Sequence, residues 1–598
     1  MKNINPDDYY KERIARLSST ISRLKKKALL LSWLRLFSFL GAVLLTWLLR
    51  ESGAGWAVAG FITGMIFFFY FVNRDLDNKA MIENLSRLLQ ICRDERLALD
   101  HQFHHFPDGT NYLPALHPYA ADLDLFGKAS LFQYINRTKS EQAGLLLAGW
   151  LLEPASATEI MSRQKAAAEL ASKPEWNQQL QSCGAAKAIT IAAEKNIGDW
   201  LHEPGRLLHD KAWILLRFLF PAASISSLAF YIAGTISPSQ FLTLATGFLA
   251  IALVITKKLM PAWVRLGKIS EELESLSASI RHIESQEFND ELMKQHKASF
   301  SSGNKKASEK IKTLKKIMDR LDYRLNPVVF IPLSIFFCWD LQQVFALENW
   351  KEENKEGIRH WFESLAVIEA LSALGTLSFN HPHWVFPVIE TSTLFDGKEL
   401  GHPLIPEKKR VNNSFRTAGD GVINLVTGSN MAGKSTFLRS CGINIVLAMA
   451  GAPVCAASLR LSPLKVMSSM RVSDNLEEST STFYAELKKL KAIIAAVNRR
   501  ENVFLLLDEI LRGTNSGDRH TGSKALIRQL IAQQATGIVA SHDLELAKLE
   551  TDYPGQLINY HFDVRIANEE LYFDYTLKEG VCQSMNASLL MKKIGIRI

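Results

Sequence analysis

At 598 residues the chain is long enough for several domains, and a hydrophobic content of 47% is high for a wholly soluble protein with long charged helices. Its formal net charge of +8 is weak evidence for nucleic acid, because the visible cationic clusters, Arg23 to Lys27 and Lys257-Lys258, flank apolar runs. The six cysteines, Cys92, Cys183, Cys338, Cys441, Cys455 and Cys582, show no C-x-x-C spacing, which argues against a disulfide framework or a zinc site; His101, His104 and His105 lack an acid or Cys to complete a metal cluster.

In chain order, Ile14, Leu17, Ile21 and Leu24 stripe an amphipathic helix over residues 1–27. Residues 28–49 are then apolar apart from Arg35, and residues 52–72 carry no charge. With only Arg50-Glu51 and small residues between them, the two runs predict a transmembrane hairpin over 28–73, since about 20 apolar residues span a bilayer. Arg35 has to snorkel or lie near the interface. A cleaved signal peptide fits less well, because the apolar run begins late and a second follows at once.

A helical stalk and linker follow at 74–120, with Pro107-Asp-Gly109 and Pro114 to Pro118 as breakers, and a helical core begins over 121–210. A second hairpin is expected over 211–258. No charge occurs from Phe218 to Thr256, and Ser237-Pro238 divides that stretch into halves of about 19 and 18 residues. Lys211, Arg217, Lys257 and Lys258 flank it, so both hairpins place their cations on one side, the cytoplasmic one by the positive-inside rule. The expected location is therefore a bacterial-type inner or plasma membrane, with four transmembrane helices and the remaining domains in the cytoplasm. Residues 259–375 read as further core and lever helices. Val328 to Trp339, too short to span and interrupted by Pro332, reads as core packing.

The last domain, 376–598, carries the chemistry. Gly428, Ser429, Asn430, Met431, Ala432, Gly433, Lys434, Ser435 and Thr436 fit G-x-x-x-x-G-K-[ST], between a short apolar run, Val422 to Thr427, and a helical pattern. In that context backbone N–H groups and a helix N-terminus cradle the phosphates of ATP, Lys434 reaches the β/γ-phosphates and Ser435 holds Mg2+. A second apolar run, Val503 to Leu507, ends in Asp508 and Glu509. Asp508 is the candidate Mg2+ partner through water, and Glu509 the base that polarises the attacking water. A third run, Thr536 to Ser541, delivers His542 to the same edge as a γ-phosphate sensor. The fold class expected is an α/β P-loop ATPase domain preceded by an all-α core and lever region with two transmembrane hairpins.

These residues also carry a resemblance. Asn430-Met-Ala-Gly-Lys-Ser-Thr436, Ser481-Thr-Phe-Tyr-Ala-Glu486, Asp508-Glu-Ile-Leu-Arg-Gly-Thr514 and Ala540-Ser-His542 stand in the order of the N-M-x-G-K-S-T, S-T-F-x-x-E, D-E-x-x-R-G-T and A-T-H blocks of the MutS family. Gly401-His-Pro403, Met470 to Asp474, and, less specifically, Ser130 to Thr138 with Gly149-Trp-Leu-Leu-Glu-Pro154 and Arg163-Gln164 resemble further family segments. The resemblance implies a homodimer in which the S-T-F segment of one ATPase domain completes the site of the other, so that Ser481 touches the partner's γ-phosphate with Asn430 nearby; Ser481 also reads as a helix cap. Arg512 either fixes its loop or touches nucleotide.

The family's mismatch-reading members begin with a mixed α/β domain bearing an aromatic wedge, and the membrane hairpins stand in its place here. DNA, as mismatch-repair or recombination-related structures, is still the expected partner, but mismatch specificity does not follow from these residues. The alternative is an ATP-switched membrane scaffold with protein partners. An ABC-type transporter fits worse, since no L-S-G-G-Q precedes the acidic strand.

Overall fold

The computed structural model describes residues 5–203, 205, 208, 210–267, 269–301, 305–429, 431–470, 482–567 and 570–582. Two long antiparallel helices open the fold, α1 (Pro6–Leu49) and α2 (Ala54–Leu99), joined by the turn Arg50–Ser52. Asn5 caps α1 by accepting the Asp7 amide, with Pro6 at the first helical position. The striped segment, the cations and the first apolar run are thus one continuous helix of 44 residues, about 66 Å long at 1.5 Å per residue.

Trp33, Phe37, Leu44, Ile62 and Phe69 lie open on the distal part of this hairpin. Arg35 finds a partner across the pair: its guanidinium is 2.9 Å from Asp75, a fully buried carboxylate that Lys79 also approaches at 3.0 Å. The proximal part docks on the helical core through a buried polar cluster. Arg137 forks onto Glu95 of α2 (2.5 and 3.1 Å), Asn380 donates to the same carboxylate (2.8 Å), and Tyr10 of α1 donates to Asn380 (2.8 Å).

The helical region continues through α3 (Leu131–Ile135), α4 (Glu141–Leu152), α5 (Ala157–Ala171), α6 (Pro174–Gly184), α7 (Ile191–His202), α8 (Lys211–Ile232), α9 (Pro238–Gly267), α10 (Ser270–Glu284), α11 (Glu291–Ala298), α12 (Ala307–Leu321), α13 (Pro327–Phe337), α14 (Trp339–Asn354) and α15 (Ile358–Asn380). Local sequence sets several starts: Ser130, Ser140, Thr190 and Asp210 each accept an amide of the first turn, and Ser156 with Glu159 forms a capping box.

Among the described residues five helices are long and apolar enough to cross a membrane, and burial divides them. Only 11%, 6%, 17% and 17% of the most apolar windows of α1, α2, α8 and α9 are covered, whereas 78% of that of α15 is. α15 is the central core helix, packed on α4, α5 and α6. The expectation for Val328 to Trp339 is corrected. Its helix, α13, lies against α8 and α9 with only Phe330 and Ser334 buried, and Val328 is 82% exposed. A helix apolar on all sides that meets neighbours along one stripe leaves its remaining faces open.

The C-terminal part is α/β. A four-stranded sheet of order β1-β5-β2-β3 comprises β1 (Val388–Ile389), β2 (Leu394–Leu400), β3 (Asn413–Ala418) and β5 (Ser458–Leu461). A six-stranded sheet of order β10-β9-β4-β8-β7-β6 comprises β4 (Ile423–Thr427), β6 (Lys465–Ser469), β7 (Val503–Asp508), β8 (Thr536–Ser541), β9 (Leu557–Ala567) and β10 (Glu570–Glu579). Strands β9, β4, β8, β7 and β6 run parallel, and β10 is antiparallel at the edge. β4, β7 and β8 are buried at every residue, as near-continuous aliphatic runs in a doubly covered parallel sheet require. α16 (Lys434–Ala450) is buried over nearly its whole length, in contact with strands of both sheets and with α4 and α5 of the helical region. α17 (Thr482–Asn498) and α18 (Ser516–Ala532) complete the domain.

Candidate functional site

Parallel β4, β7 and β8 end at one edge, so the residues that follow them converge although Ser435 and Asp508, for example, are 73 positions apart in sequence. After β4 the chain turns sharply at Gly428 (φ +145°), where a Cβ would stand 2.8 Å from the Phe562 carbonyl oxygen. It enters α16 through Gly433 (φ +104°), where a Cβ would stand 3.1 Å from the Tyr575 ring. Both positions need glycine, one for close backbone approach and both for a positive φ.

Lys434, at the head of α16, is 4% exposed and folds back to donate to the carbonyls of Gly428 (2.7 Å) and Ser429 (2.9 Å). Burial holds its ammonium below the usual lysine range, against the pull of the Glu509 and Asp508 carboxylates. Ser435 donates to Asp508 Oδ2 at 2.5 Å. Burial raises the Asp508 carboxyl above the ordinary range, opposed by the Ser435 hydroxyl and the Arg512 cation.

Glu509 follows Asp508 with φ +50° and stands 3.6 Å from Nδ1 of His542, a buried nitrogen without a hydrogen bond. Arg512 fixes the loop: its Nε and Nη2 donate to the carbonyls of Glu509 (3.1 Å) and Asp508 (3.2 Å) and lie 3.4 and 3.5 Å from their carboxylates.

The structure therefore brings Lys434, Ser435, Asp508, Glu509 and His542 together. Asn430 and Ser481, assigned on resemblance, lie outside the described residues. Among the described residues no His, Cys, Asp and Glu group could hold a metal ion by protein ligands alone.

Beside the loop opens a cavity of about 500 Å3, lined by Ile405, Lys409, Val411, Ser429, Lys434 and Tyr575 among others. That is within the range of small-ligand sites, roughly 300 to 1,000 Å3. Sequence reasoning missed its far wall. Tyr575 arrives from β10 at an irregularity in the β9–β10 pairing, held by Asn413, which donates to the Tyr575 carbonyl (3.0 Å) and accepts the Leu577 amide (2.7 Å). No local pattern announces it. Glu486, buried on α17, accepts the Leu511 amide at 2.5 Å and so braces the acidic loop; the last position of S-T-F-x-x-E was its only signal. His520 of α18 pairs with Asp543 at 2.6 Å and steadies the residue after His542.

Residues 424–593 match the family model described as MutS domain V. The chain is 32% identical over 233 residues to DNA mismatch repair protein MSH3 of Phaeosphaeria nodorum, covering 38% of this chain and 21% of that protein. It is 33% identical over 202 residues to DNA mismatch repair protein MutS of Aquifex pyrophilus, covering 33% of this chain and 23% of that protein. It is also 30% identical over 210 residues to MutS protein homolog 4 of Homo sapiens, covering 33% and 22%. The matched part thus spans about a quarter or less of each of these relatives.

Proposed function

The chain belongs to the MutS family through its C-terminal domain, and from that premise we propose that it is a membrane-anchored, multi-pass ATP hydrolase in which nucleotide gates a homodimer that acts on DNA. The observation that carries the reading is the convergence of Lys434, Ser435, Asp508, Glu509 and His542 at one sheet edge beside a cavity of nucleotide size.

The residues fit ATP and Mg2+. Two glycines clear the backbone at the loop, and a buried ammonium makes do with two carbonyls. A hydroxyl and a carboxylate meet, oxygen donors of the kind a hard cation takes, and a buried imidazole nitrogen makes no hydrogen bond. ATP supplies the bond that is cleaved, and Mg2+ the charge that offsets its phosphates. Lys434 would hold the β/γ-phosphates, the loop amides and the head of α16 would hold the remaining oxygens, and Ser435 with Asp508 would hold Mg2+. Glu509 would accept the proton of the attacking water, and His542, its Nδ1 3.6 Å from Glu509, would sense the γ-phosphate.

Dimer closure, with Ser481 and Asn430 at the composite site, is taken from the family. The same holds for action on mismatch-repair or recombination-type DNA structures. The cytoplasmic side for this domain, at a bacterial-type inner membrane, follows from the cations flanking both apolar hairpins.

One observation favours a second reading. Where lever helices would run out to clamp DNA, α8 and α9 present open apolar surface, including Phe218, Phe230, Leu242 and Val254. An ATP-switched membrane scaffold with protein partners would need no cationic arms there.

Retention of duplex, mismatched and branched DNA by the detergent-purified chain, with and without ATP, separates the two. Binding that falls steeply with salt is expected for DNA action, because phosphate contacts release counterions. Absence of salt-dependent retention on every substrate leaves the scaffold.

A further inference from the structure

We propose that α13 is seated in the membrane as a half-helix at the foot of the second hairpin, its outer face against lipid acyl chains. The inference rests on reading α8 and α9 as spans, and it adds a fifth membrane element of a different kind. From Leu325 to Cys338 there is no charge. Phe330, Ser334 and Cys338, spaced four apart, form the buried stripe, while Leu325 (74%), Val328 (82%), Ile331 (41%) and Phe337 (42%) are open. Such a face in water would be costly at about 25 cal/mol per Å2 of apolar surface.

Its depth is set by contacts with the hairpin. Arg217, just before the uncharged run of α8, donates to Gln342 (2.9 Å), and Thr256, at the end of the run of α9, donates to Asp340 (2.8 Å). Arg324, on the entry side of α13, pairs with the same Asp340 at 3.6 Å, and Tyr323 stacks on Trp339 (5.9 Å, 11°). The chain therefore enters and leaves α13 at the level where the uncharged runs of α8 and α9 begin and end. Ser224, about two turns further along α8, donates to the Phe336 carbonyl (2.8 Å), which keeps the helix against the hairpin on its apolar side. At 11 residues, about 16 Å, α13 cannot cross a core of about 30 Å, and the pair α13–α14 bends by 80° at Cys338 (φ +46°) so that α14 returns to the helical core.

The rim has the chemistry of a bilayer interface. Tyr323, Trp339 and Trp213 ring the foot, with Lys258 over the Trp213 face at 5.1 Å. Lys211, Lys257 and Lys258 are exposed and in no ion pair among the described residues, which suits anionic headgroups. Of the acids near the foot, Asp340 is buried and taken up by Arg324 and Thr256, and Asp210 caps the start of α8 beside Lys211. Phe218 and Leu219 of α8, the helix that α13 packs against, are open as well, so lipid covers both helices.

The test uses the full chain in lipid nanodiscs, with an environment-sensitive fluorophore on Val328→Cys, Ile331→Cys or, on the hairpin itself, Phe230→Cys; the unsubstituted chain gives the labelling background. Nitroxide lipids with the spin label just below the headgroup should abolish emission from the two α13 sites, and aqueous iodide should not. Iodide quenching at Val328→Cys and Ile331→Cys, with lipid quenching kept at Phe230→Cys, overturns the seat and leaves the hairpin standing. Loss of lipid quenching at Phe230→Cys as well removes the membrane reading and the seat with it. Protection of the α13 sites from both quenchers, with disulfide cross-linking between copies, assigns the face to a second copy and likewise overturns the proposal.

Discussion

Ser435 and Asp508 meet at 2.5 Å, and Glu509 next to them is left to Arg512 and His542, so neighbouring carboxylates sit in different surroundings. Asp508 is the more enclosed of the two, one bonded into the phosphate loop and the other turned toward the cavity. Glu509→Gln is therefore expected to keep nucleotide binding and lose turnover by at least about 100-fold, the usual lower size of a general-base contribution, trapping a nucleotide-bound closed dimer. Phosphate release beside nucleotide retention and sizing measures it. Unchanged turnover removes Glu509 from the role. Lys434→Ala should instead abolish nucleotide binding itself, read by equilibrium dialysis or filter retention, because its buried ammonium lies within the loop, donating to the Gly428 and Ser429 carbonyls.

At the scale of elements, the hairpin of α1 and α2 is tied to the core by Glu95, Arg137, Asn380 and Tyr10, with Arg137 also stacked 3.8 Å over the Phe106 ring. Glu95 and Arg137 are 1% and 6% exposed, so removing one partner leaves a buried charge uncompensated. Arg137→Met should cost about 3 to 5 kcal/mol and loosen the lower end of α2 first, seen as faster amide exchange over residues 88–99 than in α16. Equal protection in both segments would mean the clamp is not what holds the stalk. The sequence placed Arg137 in an R-T pattern but offered nothing on its partner, 42 residues earlier, because a buried ion pair leaves no periodic trace. α13 was misread for a related reason: composition and length say that a segment is apolar, and only its neighbours say whether anything covers it.

For the molecule as a whole, two enclosed imidazoles make stability depend on pH. Burial holds His381 down at about 3 and His402 at about 4, against an ordinary 6.5. His381 accepts or donates at Tyr134 (2.8 Å) and stacks on Trp384 (4.2 Å), where the helical region meets the α/β domain. With folded values depressed, the unfolded chain binds the extra protons, so this stability is complete above pH 6.5 and is lost as pH falls toward about 4 for His402 and about 3 for His381. The slope is up to about 1.4 kcal/mol per pH unit for each residue. Denaturant midpoints between pH 7 and 4.5 should fall accordingly, and His402→Gln should flatten the curve. The arrangement of the apolar hairpins has its own check: reporter fusions at Ser52 and Pro238 are expected outside the cytoplasm, and cytoplasmic activity at either would invert or remove that hairpin.

By itself the sequence determined what is local: the phosphate loop between a strand and a helix, the acids at the end of β7, the two long apolar helix pairs and most helix starts. Each depends on spacing of a few residues, on glycine at a positive φ or on a capping side chain. Tertiary structure alone decided what depends on distant parts of the chain. It joined His542 to Glu509, brought Tyr575 from an irregular edge strand over Gly433, turned Arg512 into the brace of its own loop, and buried α15 while leaving α13 open. These outcomes follow from which surfaces meet, and strand order and helix packing, absent from any short window of residues, set that.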